Sequence, residues 1–505
     1  MRPLRLLLAV VLIVAAGALA GCGNLLAAGG GLTCVVADDG TPTCFGADGA
    51  GQAGRAPAAT ATPGPVTLPK GYGAADVSVG SGAPDGQSTA CAAVGRAGSA
   101  SGGSVRCWGS DAYGQLGRGS AGAASATPVR VDLGDDRDAS SVAVGGTFAC
   151  AIAGSDGISC WGANGNGQLG TAPSGIAGPA IVTGTASFKG SDGTTSSPTL
   201  LAAGRAHVCA GIAAKIACWG AGTAGQLGNG ASADSATPVA VALPKSVGGV
   251  GQIAAGWEST CVVASDAAAP GTQRVWCWGG NGSGQLGDGT ATASAVPVKA
   301  AIPATQEAAQ VSVGADHACA VMQDHSAWCW GANASGQLGD GTTTASSTPV
   351  QVKGLKAVLI AAGAGHTCAS TTAGRLVCWG TNAQGQLGTA PGDLSTAPRT
   401  VPGIDGLRTP IGKAVRITGT RAVGATLTAV TGSWRYAERY AYRWERRCGD
   451  GEWKDVEGAK RKTLKVAAGL AGCSVRATVN GDNAWTQAGV ATSAYRTSPS
   501  AAIPG

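Results

Sequence analysis

Cys329-Trp330-Gly331-Ala332-Asn333-Ala334-Ser335-Gly336-Gln337-Leu338-Gly339 decides how this chain folds, because it is one of seven copies. Five others also open Cys-Trp-Gly and run on to Gly-Gln-Leu-Gly, beginning at Cys107, Cys160, Cys218, Cys277 and Cys378. A degenerate copy stands at Cys44-Phe45-Gly46, with Gly51-Gln52-Ala53-Gly54. The glycines that follow the aromatic residue, from Gly46 to Gly380, recur every 49 to 63 residues. Self-similarity on that scale marks a propeller or a solenoid, in which one repeat cannot bury its apolar face alone.

Each motif cysteine has a partner a short way upstream. The pairs are Cys34 with Cys44, Cys91 with Cys107, Cys150 with Cys160, Cys209 with Cys218, Cys261 with Cys277, Cys319 with Cys329 and Cys368 with Cys378. Between partners lie turn signals such as Asp38-Asp39-Gly40 and Ala373-Gly374, flanked by short apolar runs such as Val35-Val36 and Leu376-Val377. That pattern predicts a β-hairpin whose facing strands are cross-linked. Facing strands bring Cα atoms within the roughly 5.5 Å that a disulfide needs. Metal binding would call for Cys-x-x-Cys or histidines interleaved at ligand spacing, and neither occurs.

Every hairpin also has a leader: Leu26-Ala27-Ala28-Gly29, Val77-Ser78-Val79-Gly80, and so on to Ile360-Ala361-Ala362-Gly363. After Gly-Gln-Leu-Gly comes a proline-bearing segment such as Thr127-Pro128-Val129 or Thr348-Pro349-Val350. Proline confines that segment to an edge strand or a strand start. One repeat therefore reads as leader strand, hairpin, glycine-rich loop and edge strand. Four strands make a blade, and the copies predict an all-β chain whose residues 22–405 form a seven-bladed β-propeller. The motif tryptophan is expected to pack between blades.

The motif Cys-Trp-Gly-x-Asn-x-x-Gly-Gln-Leu-Gly, with its Ala-Ala-Gly leader, resembles the repeat of the regulator of chromosome condensation family. It is most similar to an exported, cysteine-bearing bacterial branch. The asparagine stands at Asn164, Asn281, Asn333 and Asn382; Asp48 and Asp111 replace it, and Gly222 breaks it. The resemblance covers about residues 25–405 and implies the same seven-bladed fold. The family's nuclear member exchanges guanine nucleotides on a small GTPase through a wedge, and no segment here aligns to that wedge. An exchange-factor-like activity is disfavoured by the export expected below.

Composition fits a disulfide-supported β-protein. The 505 residues include 85 Gly, 3 Phe and 6 Tyr, with 13% charged residues and 44% apolar ones, so the chain is globular with a core of small side chains. Residues 1–21 read as a lipoprotein-type signal peptide: Arg2 and Arg5, an apolar run from Leu6 to Ala20, then Gly21 and Cys22. Leu19-Ala20-Gly21-Cys22 resembles a bacterial lipobox, which implies lipidation of Cys22. Removing that cysteine from 17 leaves an even set. Export, to a lipid anchor in the cell envelope or into the medium, places the cysteines where disulfides form.

Past Gly406 the motif stops. Residues 406–505 hold 16 Lys and Arg against 7 Asp and Glu. Arg416-Ile417-Thr418, Val423 to Thr428, Tyr440 to Trp444 and Cys473 to Val479 alternate like short strands. They predict a β-sandwich, resembling bacterial immunoglobulin-like surface domains, with Trp444 in its core, a Cys448–Cys473 bridge and a disordered C-terminal end. The basic balance suits anionic polymers, but few aromatics are interleaved with it, so nucleic acid is not an expected partner.

No catalytic constellation emerges. His207, His317 and His366 each stand two residues before a repeat cysteine, where other copies hold Leu32, Thr89, Phe148 or Ser259. Such a position is a packing site. His325 falls in a hairpin turn and is expected to be exposed. There is no phosphate loop, nucleophile elbow or metal-ligand cluster, so neither an enzyme nor a cofactor is expected. What departs from the repeat is Trp257, Trp276 and Trp328, and aromatics dominate binding hot spots. The expected function is a monomeric, non-catalytic binding scaffold for a protein or a cell-surface polysaccharide. An inhibitor of an extracellular enzyme is the sharper alternative.

Overall fold

The computed structural model describes residues 25–182, 198–405 and parts of 416–496. Short stretches at 38, 59, 83–87, 97–102, 135–137, 155–156, 213–214 and 268–271 are outside that set. The signal segment and Cys22 therefore lie outside the described residues.

The repeats fold as all-β, propeller-type sheets. The first five units are separate four-stranded antiparallel sheets in sequence order. The sixth and seventh join into one seven-stranded sheet, because strand Ser346–Ala362 is both the outer strand of one unit and the leader of the next. In the sixth unit the strands are Ala308–Val313, His317–Met322 and Ser326–Gly331, followed by that long strand. Their register sets Cys319 opposite Cys329, and the other six units repeat it. All seven unit pairs are disulfide-bonded, with Cα atoms 4.0–4.1 Å apart and no exposure to solvent.

The motif residues hold the loop after each hairpin. Gly331 takes φ of 104°, where a side chain would be strained, and a Cβ there would sit 2.5 Å from the Asp316 carbonyl. The Asn333 carboxamide accepts from Leu338 N–H at 3.0 Å and donates to the Thr342 and Thr344 carbonyls. Asp48 and Asp111 keep the accepting half of that role, toward Ala53 and Leu116. Where Gly222 breaks the motif, its N–H turns instead to the Asp234 carboxylate at 2.9 Å.

Neighbouring units are joined by the tryptophan and the glutamine of the motif. Trp108, Trp161, Trp219, Trp278, Trp330 and Trp379 are fully buried. Each donates its indole N–H to the glutamine carbonyl of the unit before it, at 2.8–3.0 Å. An indole removed from water brings roughly 5 kcal/mol of transfer free energy, a large share for cores otherwise built of Ala and Val. The leader strands lie side by side, each neighbouring the next, and the last neighbours the first. Polar side chains stitch them: the Gln310 carbonyl oxygen accepts from Ile360 N–H at 2.8 Å, and Ser312 Oγ from Ala362 N–H at 2.9 Å. These bonds satisfy edge N–H groups that would otherwise face the centre unpaired.

Among the described residues of the tail are two small antiparallel sheets, one of three strands and one of four. Arg439–Cys448 pairs along its length with Cys473–Asp482, and Cys448 is bonded to Cys473. Trp444 is fully buried there and donates to the Arg461 carbonyl at 2.9 Å. Among the described residues, no helix is long and apolar enough to cross a membrane.

Candidate functional site

Strand order fixes what each face can carry. Leader and third strand end on the same face where the second and fourth begin, so the turn after each leader glycine and the Gly-Gln-Leu-Gly loop share that face. The hairpin turns, including His325, lie on the other. At the centre the leaders enclose a cavity of about 120 Å³, lined by small aliphatics with Ser78, Gln252, Gln310 and Ser312.

On the loop face the turns after the leaders form the mouth of this channel. Their backbones are linked around it: Arg205 N–H to the Gly256 carbonyl, Trp257 N–H to Gly314, Ala315 N–H to Gly363 and Ala364 N–H to Gly29. In units one, three and seven these turns are only Gly, Ala or Thr, whereas three consecutive units bring Arg205, Trp257, Glu258 and Asp316. Trp257 is half-buried over the mouth, and its indole N–H reaches the Ser81 carbonyl of the second unit at 3.3 Å. The Arg205 guanidinium stacks on the indole, 4.8 Å from its centroid. Beneath lies a cavity of about 50 Å³ lined by Ser81 and four leader glycines, Gly29, Gly256, Gly314 and Gly363. Burial, with the charge of Glu258 beside it, pushes the Asp316 carboxyl up. No cation pairs with Asp316 among the described residues. An indole, a stacked guanidinium and two neighbouring carboxylates make a surface that can grip a polar partner with planar or cationic groups.

The other two non-motif tryptophans are elsewhere. Trp276 is 8% exposed and packs in the core shared by the fourth and fifth units, with Lys299 over its ring at 5.7 Å. Trp328 is half-buried against the core between the fifth and sixth, its indole N–H on Ser326 Oγ at 3.2 Å. The structure thus does not bring the three together. His325 adopts φ of 66° and is half-buried rather than exposed, its Nδ1 3.2 Å from the Ala357 carbonyl.

His207, His317 and His366 are fully buried between units. Their Nε2 atoms meet the hydroxyls of Thr260, Thr367 and Thr33 in the following unit, each at 2.9 Å. Those hydroxyls donate to the carbonyls of Gln226, Gln337 and Gln386. Since each hydroxyl has one proton, each imidazole must carry its own on Nε2. Burial pushes the three down to about 4, 3 and 4, with the charge of His366 adding to the shift of His317. Sequence reading placed these histidines correctly as packing residues but missed the relay. Its signal was present: a threonine stands directly before the first cysteine only in the units that follow a histidine-bearing one. Among the described residues, no three His, Cys, Asp or Glu side chains could share a metal ion.

Comparison with known proteins agrees with this architecture. Residues 102–152, 217–263, 273–321 and 324–370 match the regulator of chromosome condensation (RCC1) repeat, and a second description of that repeat matches 308–337 and 357–386. The ultraviolet-B receptor UVR8 of Arabidopsis thaliana is 30% identical over 258 residues, 50% of this chain and 54% of that protein. The E3 ubiquitin-protein ligase HERC2 of Homo sapiens is 31% identical over 138 residues, 27% of this chain and 3% of its own length. The chain thus spans about half the length of the plant relative and a small part of the ligase. Human WBSCR16 superposes with a TM-score of 0.58 at 19% identity, over 74% of this chain and 94% of its own. Prp20p of Saccharomyces cerevisiae does so with 0.54 at 19%, over 67% and 80%. At that identity the likeness is one of fold. Within residues 102–386, then, the chain carries segments that match the regulator of chromosome condensation (RCC1) repeat.

Proposed function

We propose that the seven units close into a seven-bladed propeller, that an immunoglobulin-like β-sandwich follows it, and that the protein is an exported, non-catalytic binding scaffold. Its partner is a protein or a cell-surface polysaccharide, gripped at the channel mouth on the loop face. The observation that carries the reading is the convergence of Arg205, Trp257, Glu258 and Asp316 at one mouth, at turns where units one, three and seven carry only Gly, Ala or Thr. Rigid scaffolds place recognition on such variable turns. Eight disulfides support export, because they persist in oxidising compartments. The three buried histidines are committed to joints between units.

A photo-crosslinking residue at exposed Glu258, compared with one at exposed Gln323 on the opposite face, tests the proposal in envelope preparations. The expected result is a discrete crosslinked partner from position 258 that disappears with Trp257→Ala, at an unchanged melting temperature. Crosslinks from 323 alone would move the site to the other face. Discrete products from neither position would remove the binding reading.

A further inference from the structure

Six joints between units are crossed by the polypeptide itself. The joint between the last unit and the first is not. Unit one takes all four strands from the start of the array, Leu26–Ala28 to Thr60–Pro65, and the last unit ends with Arg375–Asn382 and Gly392–Asp405, so no strand is shared. This joint also lacks the indole bond, because Phe45 stands where the other units have tryptophan. In its place the Thr33 hydroxyl donates to the Gln386 carbonyl at 3.0 Å and receives the His366 Nε2 proton at 2.9 Å.

We propose that the joint between the last and first units is an acid-released latch: a second proton on His366 puts an unpartnered buried charge beside the Thr33–Gln386 contact and opens the ring there first. The proposal rests on the closed-ring reading above and is independent of what the mouth binds. With Nε2 committed to Thr33, a second proton must go to Nδ1, which is buried without a partner. Gly363 packs on that side of the ring, where a Cβ on it would be 2.7 Å from Nδ1. A buried N–H with no acceptor is costly, and a buried charge more so. The elements packed on His366 present Thr33, the Cys368 sulfur, the Gln386 carbonyl, Gly363 and Gly380. The titratable group coupled to it is His317, itself buried and neutral.

The sign follows from the direction of the shift. The closed form holds His366 down at about 4 against an ordinary 6.5, so the opened form binds the proton that the closed form refuses. Closure is therefore fully stabilised above about pH 6.5 and loses that stabilisation as pH falls toward 4. The relays at His207 and His317 meet the same demand. There the chain crosses the joint, and Trp278 and Trp379 also bond the shared carbonyls, so those joints hold.

Amide hydrogen exchange on the full chain, corrected for intrinsic rates and run near pH 7.5 and near pH 4.5, reads the latch directly. Peptides covering Leu32–Val36 and His366–Thr371 should exchange about tenfold faster or more in acid, while Phe148–Ala153 stays protected. In the double variant His366→Leu with Thr33→Ala, the pair that Leu32 and Ala90 already form between units one and two, the acid response should vanish. A uniform rise in all units, or a rise that survives the double variant, overturns the proposal. Should the variant not fold, the His366 imidazole followed by NMR in the natural protein decides: titration near 4 supports the latch and titration near 6.5 sinks it. A Leu32–Val36 strand already unprotected at neutral pH would instead overturn the closed ring itself.

Discussion

Trp330 and Trp379 make the same bond in different company. The Gln285 carbonyl is served by the Trp330 indole, with Ala318 at the neighbouring threonine position. The Gln337 carbonyl receives both the Trp379 indole and the Thr367 hydroxyl. Trp330→Phe should therefore leave a buried acceptor empty and lower stability by about 1–3 kcal/mol beyond the loss of ring area. Trp379→Phe should cost measurably less, and urea midpoints of the two variants provide the check. Equal losses would mean that the threonine is no substitute donor. The burial of these tryptophans was legible from a motif repeated at fixed spacing. The relay was not, because its members lie in different repeats, and only comparison of adjacent copies links Thr33 to His366 or Thr260 to His207.

At the scale of the element, the hairpin carries the fold. Cys319 and Cys329 could be assigned as facing residues from spacing alone, because a short turn leaves two strands one register. With all seven unit disulfides fully buried, a small thiol should fail to reduce them in the native protein. Added denaturant should then release them together, a change that intact-mass measurement resolves. Reduction one bridge at a time without denaturant would show that units open singly. The fused strand Ser346–Ala362 was not legible. Its halves belong to different motif copies, and the pairing shifts register in the linker between them, where Gly354 takes φ of 74°. The channel mouth was half legible: Trp257 departs from the motif and was singled out, whereas Arg205, Glu258 and Asp316 look like ordinary turn residues until the turns are set around one axis.

Across the whole molecule, the indole bonds run in one sense, each unit donating to its predecessor, and the sequence of donors ends at Phe45. Leu26 and Ile404 nevertheless share one core cluster, so the two ends of the array are held close by apolar contact. Because neither end contributes a strand to the other's sheet, the starting point of the array is arbitrary in three dimensions. A circular permutant that begins at the second unit, with residues 405 and 25 joined by a short Gly/Ser segment and the tail omitted, would keep every sheet whole. Calorimetry should find it melting above the unpermuted array, since the weakest contact gains a tether, while a permutant cut at Gly374 inside a hairpin should melt below it. On the closed-ring proposal no repeat holds a privileged place in space, and such a molecule resembles a clasped bracelet more than a forged hoop.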